Sequence, residues 1–417
     1  MKVTKSLLIA CACLGLFACS NEDTPSPEGN LTDGETQSIA IRLEGLSSNA
    51  EGRAFEEPIT ESSASSGKHT ATLSDIALIG TDETNILTVK TINSTDNSGN
   101  DWSQLTTAES GYIMHNVPSQ VRKVYAIGNY SKSSAVKTFV DDLSSGAENQ
   151  DNETSNVTLV SGKTIADMEK VVVSGTDNKT FADVLLFGVD EQLATTSSVT
   201  DDSHPDNIIM QADITIKPLV SRIEITKISC ENLGSIYSEL TLKTIGLMNV
   251  YNTLTLGGTA GDAITLATCD MPEANPGSDD KIQWGSASET TYAWAWDNFS
   301  ANTTLNSTTK QWTGDSGKIP AYQFFAKQVD NTNFHVKLFL EAKETSGEAT
   351  SALNTVTANI SSDNDFTMNE PGKIYKVELN FAEENIGTWD PDEKICINVR
   401  VTAEDWTIVT LDGITYE

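Results

Sequence analysis

The chain has 417 residues, and its 27 Lys and Arg against 59 Asp and Glu give a formal net charge of −32. This charge argues against partners such as nucleic acid or an anionic membrane surface, because both would repel the protein. It suits a soluble surface exposed outside the cell, and the length allows two or three domains.

The N-terminus has the pattern of a bacterial lipoprotein signal. Two lysines precede an apolar run, Leu7 to Ala18, which is too short for a bilayer-spanning helix. Cys19 follows at once and precedes polar, acidic residues. We expect residues 1–18 to be a signal peptide and Cys19 to carry lipid. The alternative is an ordinary signal with an incidental cysteine. Cleavage before Cys11 would leave almost no apolar core.

The next segment contains a tether, a strand and an exposed loop. Residues 20–37 are rich in Pro, Glu, Thr, Gly and Asn, which is typical of a flexible tether. Residues 38–45 alternate apolar and polar side chains and predict a half-buried strand. Residues 47–58 read as an exposed loop, and Arg53 lies where such loops are readily cut by proteases. An ordinary surface arginine is the alternative.

The rest of the chain predicts an all-β protein. Short runs rich in Val, Ile, Thr and Leu alternate with clusters of Ser, Asn, Asp and Gly, and one short helix is predicted at 135–143. This pattern favours β-sandwiches, with a domain boundary near residue 216. The predicted strands are 75–79, 85–92, 121–127, 184–189, 208–216, 222–228, 239–250, 334–342, 356–360, 374–381, 395–401 and 406–411.

The C-terminal segment 395–417 predicts a hairpin, because two apolar runs lie close together there. A compact domain can simply end in such a strand. A terminal apolar strand can also leave its own domain and complete a sheet in a neighbouring molecule.

The cysteines and histidines give little evidence of chemistry. Cys230, Cys269 and Cys396 lie in or beside apolar stretches and are expected to be buried free thiols, with a Cys230–Cys269 bridge as the alternative. The four histidines, His69, His115, His204 and His335, form no ligand pair at helical spacing.

Two polar loops contain residue types that bind metals. Residues 201–206 include three aspartates and His204, but we expect a solvated loop. Residues 96–101 resemble a calcium loop in composition only, without the final bidentate Glu. No catalytic motif is present, so the sequence predicts neither an enzyme nor a bound metal or cofactor. Trp294 and Trp296 would share one face of a strand, where a sugar platform is the alternative to a core role.

Several segments in combination resemble the fimbrillin family, the lipoprotein-derived type V pilins of Bacteroidia. The similar segments are a strand that ends in Asn129, the opening of the predicted second domain, two later strands and the dipeptide Asp405-Trp406. Their ranges are 117–129, 216–225, 319–325, 369–379 and 405–406.

The resemblance implies two transthyretin-like β-sandwich domains in tandem, 54–215 and 216–394, followed by a C-terminal donor strand or hairpin. It implies export as a lipoprotein to the cell outer membrane, anchored through lipid on Cys19. An Arg-specific protease would then cut between Arg53 and Ala54. Residues 19–53 would form a propeptide that includes the first strand.

The resemblance also implies assembly by strand exchange. Loss of the first strand, with Ile39, Ile41 and Leu43, would open a groove that another copy or a related pilin subunit fills with its C-terminal strand. The donor contacts would come from Trp406, Ile408, Val409 and Leu411, which do not share one parity along a strand. Head-to-tail donation does not close on itself and gives a filament, a fimbrium that supports adhesion.

Two alternatives remain open on the sequence. One is a surface glycan-binding lipoprotein that uses Trp294 and Trp296. The other is an anchor or tip subunit of the same fibre. An anchor would keep its lipid and need no donor strand, whereas this chain has a plausible one.

Overall fold

The computed structural model confirms the prediction of an all-β chain with few helices. It describes residues 36–44, 46–47, 70–95, 100–107, 110–145, 156–178, 184–248, 250–251, 253–261, 296–298, 304–313, 319–325, 335–347, 354–359, 370–388, 398–405 and 407–410.

The first half of the described chain contains thirteen strands and all three α-helices. They are β1 (Thr36–Glu44), β2 (Leu46–Ser47), β3 (Thr70–Leu73), β4 (Asp75–Thr81), β5 (Ile86–Asn93), α1 (Asp101–Thr107), β6 (Tyr112–Pro118), β7 (Lys123–Gly128), α2 (Ser134–Ser145), β8 (Thr158–Leu159), α3 (Ile165–Glu169), β9 (Val172–Ser174), β10 (Leu186–Asp190), β11 (Ala194–Thr195), β12 (Ile208–Thr215) and β13 (Lys217–Pro218).

The second half of the described chain contains strands and short 3-10 turns. The strands are β14 (Ser221–Glu231), β15 (Tyr237–Met248), β16 (Thr253–Thr255), β17 (Trp296–Asn298), β18 (Thr304–Asn306), β19 (Gln311–Trp312), β20 (Ala321–Phe324), β21 (His335–Glu344), β22 (Asn354–Asn359), β23 (Lys373–Ala382), β24 (Gly387–Thr388), β25 (Asn398–Asp405) and β26 (Thr407–Thr410).

Two sheets enclose the first hydrophobic core. The β1 sheet has the strand order β11–β12–β1–β6, and the second sheet has the order β13–β10–β7–β4–β5–β8. Ile39 and Ile41 of β1 share one buried cluster with Ile76 of β4 and Val124 of β7, so the two sheets meet over one apolar layer. The apolar face of α2 belongs to the same cluster. This is the layered arrangement of a β-sandwich.

A second core begins just after the first along the chain. Along the chain, Val220 still belongs to the first cluster, and Ile223 is the first residue of the second cluster. Its sheets have the orders β19–β14–β23–β25, with β20 also on β14, and β17–β15–β21–β22–β24, with β18 also on β15. The described residues therefore form two large hydrophobic cores. The transthyretin-like topology and the domain bounds remain predictions.

Two strands from the later part of the chain pair with the earlier part. β16, from the segment predicted to belong to the second domain, pairs antiparallel with β9. β26 pairs with both β2 and β3. Among the residues described, β25 pairs with β23 and not with β26, so the predicted C-terminal hairpin is wrong there. The space between β2 and β3 offers β26 hydrogen-bonding partners on both edges, whereas a hairpin offers one.

Cys230 is a buried free thiol, as predicted. Burial raises its pKa to about 12, and the nearby carboxylates of Glu383, Glu384 and Glu231 add to the effect. The thiol is therefore protonated and unreactive near neutral pH. Cys269 and Cys396 lie outside the described residues.

Asn129 ties three segments of the first core together. It follows β7 in the left-handed conformation, with φ 57°, which Asn adopts more readily than most residues. Its side-chain oxygen accepts from the backbone N–H of Ser74 at 2.9 Å. Its amide donates to the carbonyls of Thr72 at 2.7 Å and Val184 at 2.8 Å. Asn129 thus fixes the end of β3, which in turn pairs with β26.

We expect Asn129→Gly to lower the free energy of unfolding by about 2–4 kcal/mol, because buried donors and acceptors lose their partners. Asn129→Ala should lose about 1–2 kcal/mol more, since alanine is strained in the left-handed region. Urea unfolding of both variants beside the wild type measures the two effects. A glycine variant as stable as the wild type would contradict the role given to the amide.

Candidate functional site

β1 is an interior strand of its sheet and carries the residues of the predicted displaced strand. It pairs in parallel with β12 from Gln37 to Glu44, and antiparallel with β6 on its other edge. Ile39 and Ile41 have no exposed surface, and Leu43 packs against the core from a partly buried position. Full burial of such a side chain stabilises a protein by about 1.5–3 kcal/mol.

β1 is more deeply buried than its alternating sequence predicts. Residues 37–41 are all buried, so both faces of the strand are covered in this stretch. The polar residues among them have internal partners. The amide of Gln37 donates to the carbonyls of Pro118 at 3.3 Å and Val121 at 3.0 Å. The hydroxyl of Ser38 donates to Asp201 at 2.6 Å. The prediction of a half-buried strand is therefore wrong for residues 38–41, and the predicted tether is wrong for residues 36–37, which belong to β1.

The C-terminal part of β1 is held by exposed polar contacts. The guanidinium of Arg42 lies 2.9 Å from a carboxylate oxygen of Asp213 on β12, with both side chains about two-fifths exposed. The hydroxyl of Thr215 donates to Glu44 at 3.1 Å. Solvent screens such contacts, so they contribute little beside the buried half of the strand.

Gly111 allows the chain before β6 to approach β1 closely. It has φ +73°, and a side chain there would overlap the carbonyl oxygen of Ile41. Only glycine satisfies both requirements without strain.

β26 occupies the centre of a three-stranded sheet with the order β2–β26–β3. Its register on β2 pairs Ile408 with Leu46, and its register on β3 pairs Val409 with Thr72. Both pairings are parallel. β2 and β3 are the strands on either side of the chain segment that contains Arg53. The C-terminal strand thus pairs with the strands that precede and follow residues 48–69, the segment that contains Arg53.

A cluster of His115, Asp201 and His204 adjoins Ser38 at the start of β1. The Nδ1 atoms of His115 and His204 lie 2.7 and 3.4 Å from one Asp201 carboxylate oxygen. Burial opposes ionisation of Asp201, but hydrogen bonds from Ser38 and His115 lower its pKa below the ordinary value. The prediction of a solvated loop at 201–206 is therefore wrong for Asp201 and His204. They are held inward by contacts with β1 and β6.

Several predicted site residues lie outside the described residues. These are Cys19, Arg53, Ala54, Trp406, Leu411 and Trp294. Ile408 and Val409 are placed in β26 by their backbone, and Trp296 begins β17. Asp101, the last residue of the calcium-like loop, begins α1 and forms an ion pair with Lys90 at 2.9 Å. In the described part of the chain, no helix is both long and apolar enough to cross a membrane.

Sequence reasoning missed three residues that position β1. Ser38 looked like an outward polar residue of an alternating strand, and nothing nearby in the sequence shows that it meets Asp201. Gly111 stands before an apolar run, which is a weak signal of a special turn. The pairing of His115 with residues 201–204 joins positions far apart in the chain, and no spacing rule predicts it.

No family model and no curated protein matches the chain. Among solved structures, it is similar to a "putative cell adhesion protein" from Bacteroides eggerthii, with TM-score 0.50 and 16% identity over 92% of this chain and 100% of that one. A protein of the same description from Parabacteroides distasonis gives TM-score 0.47 and 13% identity over 90% and 98%. A fimbrilin from Porphyromonas gingivalis gives TM-score 0.46 and 10% identity over 91% and 99%.

At these levels of sequence identity, the comparisons show a similar fold and do not show a shared function. The Bacteroides eggerthii protein shares its fold with nearly the whole chain. At the level of the fold, the predicted resemblance to the fimbrillins of Bacteroidia is therefore confirmed.

We expect Gly111→Ala to lower the free energy of unfolding by more than about 2 kcal/mol, through backbone strain and overlap with Ile41. Gly162→Ala is the matched control, because Gly162 has φ +70° and nothing within 4 Å of the added carbon. It should lose only the about 1–2 kcal/mol of left-handed strain. If urea unfolding shows that both variants lose the same free energy of unfolding, the chain at Gly111 is not in close contact with Ile41 of β1.

Proposed function

We propose that the chain is a structural subunit of a surface fibre, a fimbrial pilin that polymerises by donor-strand exchange after cleavage at Arg53. The observation that carries the proposal is the position of β26 between β2 and β3, the strands that flank the loop containing Arg53. A cut after Arg53 would therefore separate the two strands that hold the C-terminal strand β26 in place.

A single cut after Arg53 would act on two surfaces. β1 and β2 are separated only by residue 45, so both belong to the fragment that ends at Arg53. Departure of β1 would open the position between β12 and β6. Departure of β2 would free one edge of β26. Cleavage would therefore create an acceptor groove at the β1 position and free one edge of the donor strand β26 in the same molecule.

The emptied position of β1 would need to be refilled. It would expose apolar side chains that Ile39 and Ile41 now cover, together with unpaired backbone groups of β12 and β6. A C-terminal strand from another copy, or from a related subunit, would satisfy both through Trp406, Ile408, Val409 and Leu411. Repeated head-to-tail donation gives an open filament.

The precursor is proposed to travel as a lipoprotein on the cell outer membrane. Cys19 would carry the lipid, and the cut between Arg53 and Ala54 by an Arg-specific protease would discard Cys19 with the propeptide. The fold shared with a candidate cell adhesion protein supports a role in surface adhesion.

We expect the wild-type subunit in sheared cell-surface fibres to begin at Ala54, as measured by N-terminal sequencing. Arg53→Ala should remain a full-length lipidated precursor and form no fibres, because β1 cannot leave. Arg42→Gln is the control, since it removes an arginine of β1 that lies outside the cleavage loop. Normal fibres from Arg53→Ala would contradict the cleavage step.

A disulfide between β3 and β26 tests the donor strand. Thr72 and Val409 are register partners, and facing strand residues lie within disulfide reach. After cleavage, the oxidised Thr72→Cys/Val409→Cys protein should stay monomeric, because the lock keeps β26 in its own chain. Reduction should restore polymerisation.

The matched control is Thr70→Cys/Val409→Cys, which is out of register by two residues and should polymerise without reduction. If the oxidised, cleaved in-register protein polymerises as well as the reduced one, β26 is not the donor.

A further inference from the structure

Three side chains of types that commonly bind metals in proteins lie close together beside β1. They are His115 of β6, and Asp201 and His204 of the segment before β12, and their ligand atoms all lie within 4.8 Å of one another. The Asp201 side chain is 1% exposed, and the two histidine side chains are 22% and 16% exposed. The cluster is therefore largely buried and partly exposed to solvent through its two histidines.

A β-bulge aims His115 into the cluster. Between the pairs Gln37–Val117 and Ile39–Met114, β1 has one residue and β6 has two, His115 and Asn116. Asn116 has φ 53°, as the irregular backbone of a bulge requires. Bulges of this kind commonly redirect a side chain at a functional site.

Further side chains hold the bulge and the carboxylate in place. The side chain of Asn156 accepts from the backbone N–H of His115 at 2.8 Å and donates to the carbonyl of Ile113 at 2.8 Å. The Asp201 oxygen that faces the histidines accepts from Ser38, and its other oxygen accepts from the backbone N–H of His204 at 3.2 Å.

His204 has an unsatisfied atom in this arrangement. Its Nδ1 is buried and has no hydrogen-bond partner, although it lies 3.4 Å from the Asp201 oxygen. With the ring neutral and Nδ1 unprotonated, two electron-rich acceptors face each other. A buried polar atom without a partner is costly, and a cation between the two acceptors would remove the cost.

We propose that His115, Asp201 and His204 form a binding site for a divalent transition metal of the Zn²⁺ type. Tetrahedral ligand atoms about 2.0–2.1 Å from zinc lie about 3.3–3.4 Å apart, close to the spacing of the His204 and Asp201 atoms. The shorter distance from His115 to Asp201 is a hydrogen bond that the metal would replace, with a widening of about 0.6 Å.

The ligand set selects the kind of metal. Two imidazoles and one carboxylate suit Zn²⁺ and similar ions, whereas Ca²⁺ and Mg²⁺ require mostly oxygen ligands. Three protein ligands leave a fourth position for water or an external group. The hydroxyl of Ser38 orients the ligand carboxylate and so links the site to β1.

A metal here would join the two neighbours of β1. His115 lies on β6, and the other two ligands lie just before β12, so the metal would hold both sides of the β1 position together at Ser38. Metal binding by the uncleaved chain does not depend on strand exchange, so the two proposals can fail separately.

The first test uses the metal-stripped, uncleaved chain and isothermal titration calorimetry with ZnCl₂. We expect one tight site per chain, absent from His115→Ala/His204→Ala and present in His335→Gln, which removes a histidine from β21. Ser38→Ala should bind about 10-fold more weakly, because the ligand carboxylate loses a support. CaCl₂ should not compete. Wild-type binding equal to that of the double variant would overturn the site and leave only adventitious binding to an acidic surface.

The second test needs no variant. A histidine bound through Nδ1 carries its proton on Nε2 and has no free lone pair, so it resists acylation. Zn²⁺ should slow the acylation of His115 and His204 in the wild-type chain at least about 10-fold, as measured by mass spectrometry of the modified peptides. Unchanged acylation of both histidines at saturating Zn²⁺ would overturn the proposal.

Discussion

The structure of the first core depends on β1 being paired along both edges and covered on both faces. A strand in this position supplies hydrogen bonds to two neighbours, and its apolar side chains fill the layer between two sheets. Its removal would leave the edges of β12 and β6 that face β1 without hydrogen-bonding partners in the centre of their sheet. Loss of such an interior strand would therefore require a replacement, and the proposed strand exchange would supply one.

Residues with unusual backbone conformations define the surroundings of β1 and β26. Gly111 brings the chain against β1, Asn116 forms the bulge on β6, and Asn129 fastens the end of β3. Each has positive φ, which most residues avoid. The regular strands supply buried area, while these three positions decide where one strand ends and another can approach.

The sequence predicted the regular parts of this fold well. Strands such as β4, β5, β12 and β23 stand out because apolar runs end at polar turn residues, and α2 stands out by its helical spacing. The partners of β16 and β26 could not be predicted, since short strands pair with edges far away in sequence. The site was predicted in part. β1 was identified by its alternation, but the covering of its second face depends on Ser38 meeting Asp201, a contact set only by the folded chain.

The sheet β2–β26–β3 has a consequence for the order of folding. Its central strand comes from the end of the chain and its outer strands from the beginning, so the paired residues are separated by nearly the full length of the sequence. Contacts of such long range form slowly, because most of the loop-closure entropy must be lost before they contribute stability. If the N-terminal half folds first, β2 and β3 remain without their central strand until β26 pairs with them. Before that pairing, the edges of β2 and β3 would be open to another chain, whose encounter would compete with completion of the sheet.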